Sequence, residues 1–246
     1  MRKFVYLLAF IAFSSSSSFV LTAQTVDEIL AKHLEAMGGA EKWSKVKSVV
    51  QNTKFTIQGM EIQSKSSILV GKAFRSEIEV MGNKMVQVVE GENGWWIRPQ
   101  MMGGSGEAED MPKEMVKVSK NQESVGSLLL TAKMEGSKID LVNKEKLDGA
   151  DVFVCQITKK DGDVGTVYLS ASTYLILKFA AKVNLGGQAV DTELKFSNYK
   201  AVDGLYFPFS METANPMGGG TMQVDTTSIE INPALEAAIF VKPVKK

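Results

Sequence analysis

The stretch SVVQNTKFTIQGMEIQSKSSILVGKAFRSEIEV, residues 48–80, decides the fold class, because its side chains change character with a period of two. Val49, Thr53, Phe55 and Ile57 fall on one side, while Asn52, Lys54, Thr56 and Gln58 fall on the other. Ile62, Ile68 and Val70 then alternate with Glu61, Gln63 and Lys65, and serines occupy the middle of the apolar set. Phe74, Ile78 and Val80 alternate with Arg75, Glu77 and Glu79. Successive strand residues point to opposite faces, so the pattern predicts antiparallel strands with one dry and one wet face. Turn signals at Gly59, Gly71, Gly82-Asn83 and Glu92-Asn93-Gly94 divide the runs.

Further along, strands are predicted from Ile139 to Lys146, Val152 to Thr158, Val164 to Ser170, Tyr174 to Val183, Ala189 to Tyr199, Leu205 to Thr213 and Thr221 to Ile231. Asp148-Gly149, Asp161-Gly162, Gly186-Gly187 and Asp203-Gly204 mark turns between most of them. The total is about eleven strands, joined mostly by short turns, and a twisted sheet that wide must curl. Two stretches read as helix. Thr25-Val26-Asp27-Glu28 is a capping box, followed by Val26, Ile29, Leu30, His33, Leu34 and Met37 on one stripe and by Gly38-Gly39 as a stop. Asp110-Met111-Pro112 opens a second helical stretch that runs to about Ala132 with an interruption near Gly126. These two pieces are the amphipathic elements available to cover the sheet's dry face.

The chain begins Met1-Arg2-Lys3, continues through the apolar run Phe4 to Phe13 and a serine tract, and reaches Ala23. A basic start, a short apolar run and a small residue predict a secretory leader over residues 1–23, cut after Ala23. The run is too short to stay as a membrane span. A single domain over residues 24–246 is expected, since a mature chain of about 220 residues can bury one large core. No cysteine ends the leader, so no lipid anchor is expected, and Cys155, the only cysteine, rules out an internal disulfide. Loss of Arg2 and Lys3 takes 28 basic residues to 26, against 28 acidic ones, a balance that disfavours nucleic acid.

Five segments together resemble the LolA-like family of outer-membrane lipoprotein-sorting proteins. VDEILAKHLEAMGGAEKWSKVKSV is similar to its first helix, double glycine and first strand. ENGWWIRPQMMGG resembles its G-W-x-x-x-P turn through Gly94, Trp95 and Pro99. NKEKLDGADVFVCQITKKDGDVGTVYLSASTYLILK is similar to its central hairpins. NYKAVDGLYFPFSMET resembles its Y-x-x-V-D-G-x-x-x-P turn through Tyr199, Val202, Asp203, Gly204 and Pro208, and IEINPALEAAIFVKP resembles its closing strand. The resemblance implies an α+β protein, mainly β: a strongly curved antiparallel sheet forming an incomplete barrel, covered by the N-terminal helix and the helical insertion. It implies a periplasmic carrier that holds acyl chains of lipoproteins or lipids in the hollow, passing them between membrane-bound donor and acceptor proteins. Carriers of this kind use a barrel arginine to hold the lid; Arg75 and Arg98, the two arginines beyond the leader, fall on no motif that transfers that role. The alternative is a cell-envelope sensor or scaffold that uses the same fold to bind a mislocalised lipoprotein or a protein partner.

On this reading the hydrophobic cavity and its lid are lined by Phe55, Ile57, Phe74, Ile78, Trp95, Ile97, Met101, Met102, Met115, Leu128, Leu129, Phe153, Phe179 and Phe196. Trp95 and Trp96 cannot share a strand face, and Trp95 with Ile97 forms the drier pair, so Trp95 is expected in the hollow, with plain core as the competing reading. Trp96 is expected to be exposed or covered by the following loop, with Arg98 near its ring. Met81, Met85, Met101, Met102, Met111 and Met115 cluster around the loop and the insertion, where flexible thioethers suit irregular apolar partners or fill a loose core.

Chemistry has little to stand on. His33 is the sole histidine, sits on the apolar helix stripe, and reads as structural. Cys155 reads as a small core hydrophobe. Asp161 and Asp163 belong to a turn rather than a calcium loop, and Gly103-Gly104 and Gly218-Gly219-Gly220 lack the lysine and helix of a phosphate cradle. Gly-x-Ser-x-Gly is absent. No enzyme activity, cofactor or metal is expected.

Overall fold

The computed structural model describes residues 24–185, 188–215 and 220–244; the expected leader, the Gly186-Gly187 turn and Gly218-Gly219 lie outside them. Helix α1 spans Val26–Ala36 and opens with the predicted capping box: Thr25 Oγ1 accepts from Glu28 N at 3.3 Å, and Thr25 N donates to Glu28 Oε2 at 3.0 Å. Helix α2, Ala40–Ser44, carries Trp43 inward.

Strands β1 (Ser48–Ile57), β2 (Met60–Leu69), β3 (Ala73–Val80), β4 (Asn83–Glu90), β5 (Asn93–Ile97) and β6 (Ala108–Asp110) form a first meander. Helices α3 (Lys113–Ser119) and α4 (Leu128–Met134) follow, separated by a 3-10 turn, Lys120–Glu123. The second meander comprises β7 (Lys138–Leu147), β8 (Ala150–Thr158), β9 (Val164–Ser170), β10 (Ile176–Leu185), β11 (Gln188–Val202), β12 (Leu205–Ala214) and β13 (Thr221–Ile231). The described strands number thirteen, not about eleven. The expectation fell short in the front half, where β5 and the three-residue β6 are too brief to display a repeat of two. Tyr174, expected as the start of a strand, instead lies in the turn before β10 with φ of 57°.

All thirteen strands form one antiparallel sheet in the order β6-β5-β4-β3-β2-β1-β13-β12-β11-β10-β9-β8-β7. First and last strands therefore meet in its middle, through pairs such as Val49↔Ile231 and Phe55↔Val224, while β6 and β7 stand at the two edges.

The helical insertion joins those edges and shows how far the sheet bends. Val116 of α3 packs with Val89 of β4, yet the next residue, Lys117, is ion-paired to Asp161 in the β8–β9 turn at 3.1 Å. Lys159 also reaches Asn121 Oδ1 at 3.0 Å. Eight interstrand steps separate β4 from β9, about 38 Å on a flat sheet at ~4.8 Å per step, whereas α3 is only about 10 Å long. Both ends can be satisfied only if the sheet curls round the helices. The result is an open half-barrel with the helices on its inner face.

Two glycines show how tightly the helices fit. A Cβ on Gly38, whose φ is 105°, would lie 2.3 Å from the carbonyl oxygen of Gly204, so α1 ends flush against the β11–β12 turn. Gly126, with φ of 93°, lies against the Trp43 ring, where a Cβ would come within 2.8 Å; this contact explains the break between α3 and α4.

The core sits at one end of the half-barrel. Ile29 and Leu30 of α1 and Leu129 and Ala132 of α4 pack on Phe153, Cys155, Ile157, Val167 and Leu169. Met37, Trp43 and Val46 cover Val49, Leu205 and Phe207, with Trp43 edge-on to Phe207 at 5.1 Å. A smaller apolar patch lies on the outer face, where residues after β13 fold back as a strap. Phe240, Ile239 and Leu235 cover Ala73, Val86, Val88 and Trp95. Trp95 Nε1 donates to the Phe240 carbonyl at 2.8 Å, and Arg75 Nη1 to the Ile239 carbonyl at 2.6 Å.

Candidate functional site

Strand register sorts the described side chains onto two faces. Phe55 faces Ile62 on one side and Val224 on the other; Val224 faces Met211, and Met211 faces Phe196. Ile62, Phe55, Val224, Met211 and Phe196 therefore make one unbroken apolar row across β2, β1, β13, β12 and β11. Val49, fixed on the inner face by its contacts with α2, shares the β1 face of Phe55 and Ile57. The row thus lies on the inner face; Ile62, Phe55, Val224 and Met211 belong to none of the helix-packed clusters, and only its Phe196 end borders one. Apart from Ile62, which is buried, its members are half-buried, as are Ile57, Ile78, Met85, Phe179 and Leu194 on the same face.

Along this row, charge is sorted to the opposite face. Lys54 pairs with Glu61 at 3.3 Å, Lys84 with Glu77 at 3.3 Å, Lys178 with Glu193 at 3.0 Å and Lys195 with Glu212 at 3.8 Å. Each of these residues is one step out of phase with the apolar row. On β1–β4 the inner positions hold no Lys, Arg, Asp or Glu. An uncharged, partly open apolar surface is suited to acyl chains or other flexible apolar ligands.

The predicted lining residues separate into four groups. Phe55, Ile57 and Ile78 lie on the open inner surface; Phe179 and Phe196 lie at its border with the helix-packed core. Phe74, Leu129 and Phe153 are on the inner side but fully enclosed in the packed end. Leu128 and Met115 are on exposed sides of α4 and α3, and Met101 and Met102, 69% and 53% exposed, occupy a 3-10 turn in the β5–β6 loop. Trp95 and Ile97 correct the expectation: both face outward, into the patch closed by the strap. The drier pair does seek apolar cover, but the C-terminal segment supplies it on the outer face. Trp96 is the inward one, against Val89, Met111 and Val116, with the Arg98 guanidinium 4.3 Å from its ring centre. The sequence places Ile62 on the dry face and Met85 in the methionine cluster but neither as lining, and it does not single out Met211, Val224 or Leu194, which only the β1–β13 pairing joins to the face of Phe55.

His33 is completely buried and joins three elements. Its Nδ1 lies 2.6 Å from the Tyr174 carbonyl, so Nδ1 carries the proton, and its Nε2 accepts from Ser127 Oγ. Ser127 Oγ also caps α4 by accepting from Leu129 N and Leu130 N. Burial holds the His33 ring below its ordinary pKa, partly offset by the Tyr174 carbonyl. Burial pushes the Cys155 thiol up to about 11, which leaves it unreactive. Arg75 is bound on the outer face to Glu77 and the strap, whereas Arg98 pairs with Glu109 at 3.1 Å and lies over the inward Trp96 ring. Among the described residues no group of His, Cys, Asp and Glu is placed to hold a metal ion, and no helix is long and apolar enough to cross a membrane.

No protein-family model and no curated protein matches the chain. Solved structures do. A LolA superfamily protein from Nitrosomonas europaea aligns over 89% of this chain and 99% of its own, with a TM-score of 0.59 and 15% identity. A Vibrio parahaemolyticus domain assigned to outer membrane lipoprotein sorting aligns over 87% of this chain and 94% of its own, with a TM-score of 0.55 and 18% identity. The fold is therefore LolA-like: an open antiparallel half-barrel with helices inside.

Proposed function

We propose that this chain is a carrier which binds acyl chains of lipids or lipoproteins on the bare half of its inner face. The leader-like residues 1–23 support export, and the remainder then works as one periplasmic domain. Transfer towards the outer membrane, from one membrane-bound partner to another, suits the fold it shares with a lipoprotein-sorting domain. The observation that supports this reading most is the charge-free apolar row from Phe55 to Phe196, left half-exposed although the same strands are fully packed a few residues away. Each methylene moved from water onto such a surface contributes about 0.8 kcal/mol, so ten would contribute about 8 kcal/mol before the cost of ordering the ligand. Nothing in this mechanism requires bond chemistry, and the one histidine is committed to holding helices together.

The test is native mass spectrometry of the purified protein before and after delipidation, with identification of extracted lipids. Co-purified acyl lipids that rebind to the stripped protein are expected. Stripped protein that takes up no acyl ligand would count against the carrier. Recovery of one stoichiometric protein partner without lipid would favour the sensor or scaffold instead.

A further inference from the structure

Between the packed and bare halves of the inner face runs a band of uncharged polar side chains. Register places Gln51 beside Ser66, Ser66 beside Ser76, and Ser76 beside Gln87, straight across β1–β4. Thr53 and Ser64 pair in the next row. On the closed side the band is bordered by Val49, Ile68, Phe74 and Val89; on the open side by Phe55, Ile62, Ile78 and Met85. The glutamines at its ends are held in place, Gln51 Nε2 donating to Thr226 Oγ1 at 2.8 Å and Gln87 Nε2 to Ser119 Oγ at 2.7 Å. Ser64, Ser66 and Ser76 are half-buried, and among the described residues their hydroxyls have no protein partner.

Hydroxyls in an apolar trough cost free energy once water is displaced, unless the incoming molecule offers acceptors. An alkyl chain offers none. A carboxylate or phosphate offers acceptors but carries a charge that no inner residue of β1–β4 opposes. We infer that the serine band receives the ester or amide carbonyls of an uncharged acyl linkage, with the chains running from it onto the bare apolar surface. The ligand class is thus neutral lipid with carbonyl-linked acyl chains, either a free glyceride or the acylated end of a protein. This inference rests on the carrier reading and adds to it the orientation and chemical selectivity of the cargo.

Competition against a bound fluorescent acyl probe at pH 8 tests it, using delipidated protein with dipalmitoylglycerol, a diacylglyceryl-cysteine peptide, palmitate and hexadecane. The two ester ligands are expected to bind about tenfold more tightly than palmitate, and the combined Ser64→Ala, Ser66→Ala, Ser76→Ala variant to lose about that factor for the esters alone. Hexadecane should bind the variant at least as well as the parent. Tighter binding of the peptide than of the glyceride would identify an acylated protein as the source; equal binding would identify free neutral lipid. Unchanged ester affinity in the triple variant overturns the serine band and leaves the trough standing. Failure of all four ligands to bind the unmodified protein overturns both. Single Ser66→Ala and Ser66→Thr variants keep the inference testable if the triple variant misfolds, since only the first should weaken ester binding.

Discussion

The two halves of the half-barrel share strands but not cover. Near the β2–β3 and β11–β12 turns, inner side chains such as Val49, Phe74 and Leu205 are buried, most of them beneath helices. Further along the same strands, Phe55, Ile78 and Met211 have the same inward orientation but remain half-exposed. Alternation alone made both surfaces apolar; only the length of the helical layer distinguishes core from candidate site. The difference teaches that an apolar strand face is a binding surface where its cover stops.

Leu129→Ala should give the largest effect, because it empties a fully enclosed position in the packed half. A loss of about 2–5 kcal/mol is expected by chemical denaturation, with any change in acyl binding following from unfolding. Val224→Asp sharpens the contrast from the other side. A carboxylate in the middle of the bare row should weaken acyl binding about thirtyfold while the unfolding midpoint moves little, since the position stays in contact with water. If that variant unfolds instead, the row belongs to the core.

The buried His33 gives a smaller, pH-dependent effect in the packed half. Its folded-state pKa lies below the ordinary 6.5, so its neutral ring stabilises fully above about pH 6.5, and stability falls as acid protonates the unfolded chain more readily. His33→Gln should be less stable at pH 7.5 and show a flatter stability profile between about pH 7.5 and 5.5; parallel profiles would remove His33 from that role. Lys117→Ala breaks a pair whose lysine side chain is largely exposed. Its cost should be the smallest of the four, readable as a slight shift in thermal midpoint, because solvent screens such pairs.

Much of this architecture was legible in the sequence for local reasons. The period-two runs of residues 48–80 and the capping box at Thr25 each depend on near neighbours in the chain. What escaped depends on distant ones. The dry local partners of Trp95 point to the hollow, but its cover is Phe240, a residue almost a hundred and fifty positions later. Met211 and Val224 went unnamed because only the pairing of β1 with β13 brings them beside Phe55. The methionines of the β5–β6 loop looked like lining, yet a loop at the rim leaves them facing solvent.

That central seam between the first and last strands has a consequence for the timing of activity. Phe55 and Val224 become neighbours only after the whole polypeptide has been made, so an unfinished chain contains both meanders but no continuous greasy floor. Under the proposed function, cargo cannot be loaded during synthesis, and a chain ending before Thr221 is mute however well its earlier strands pair.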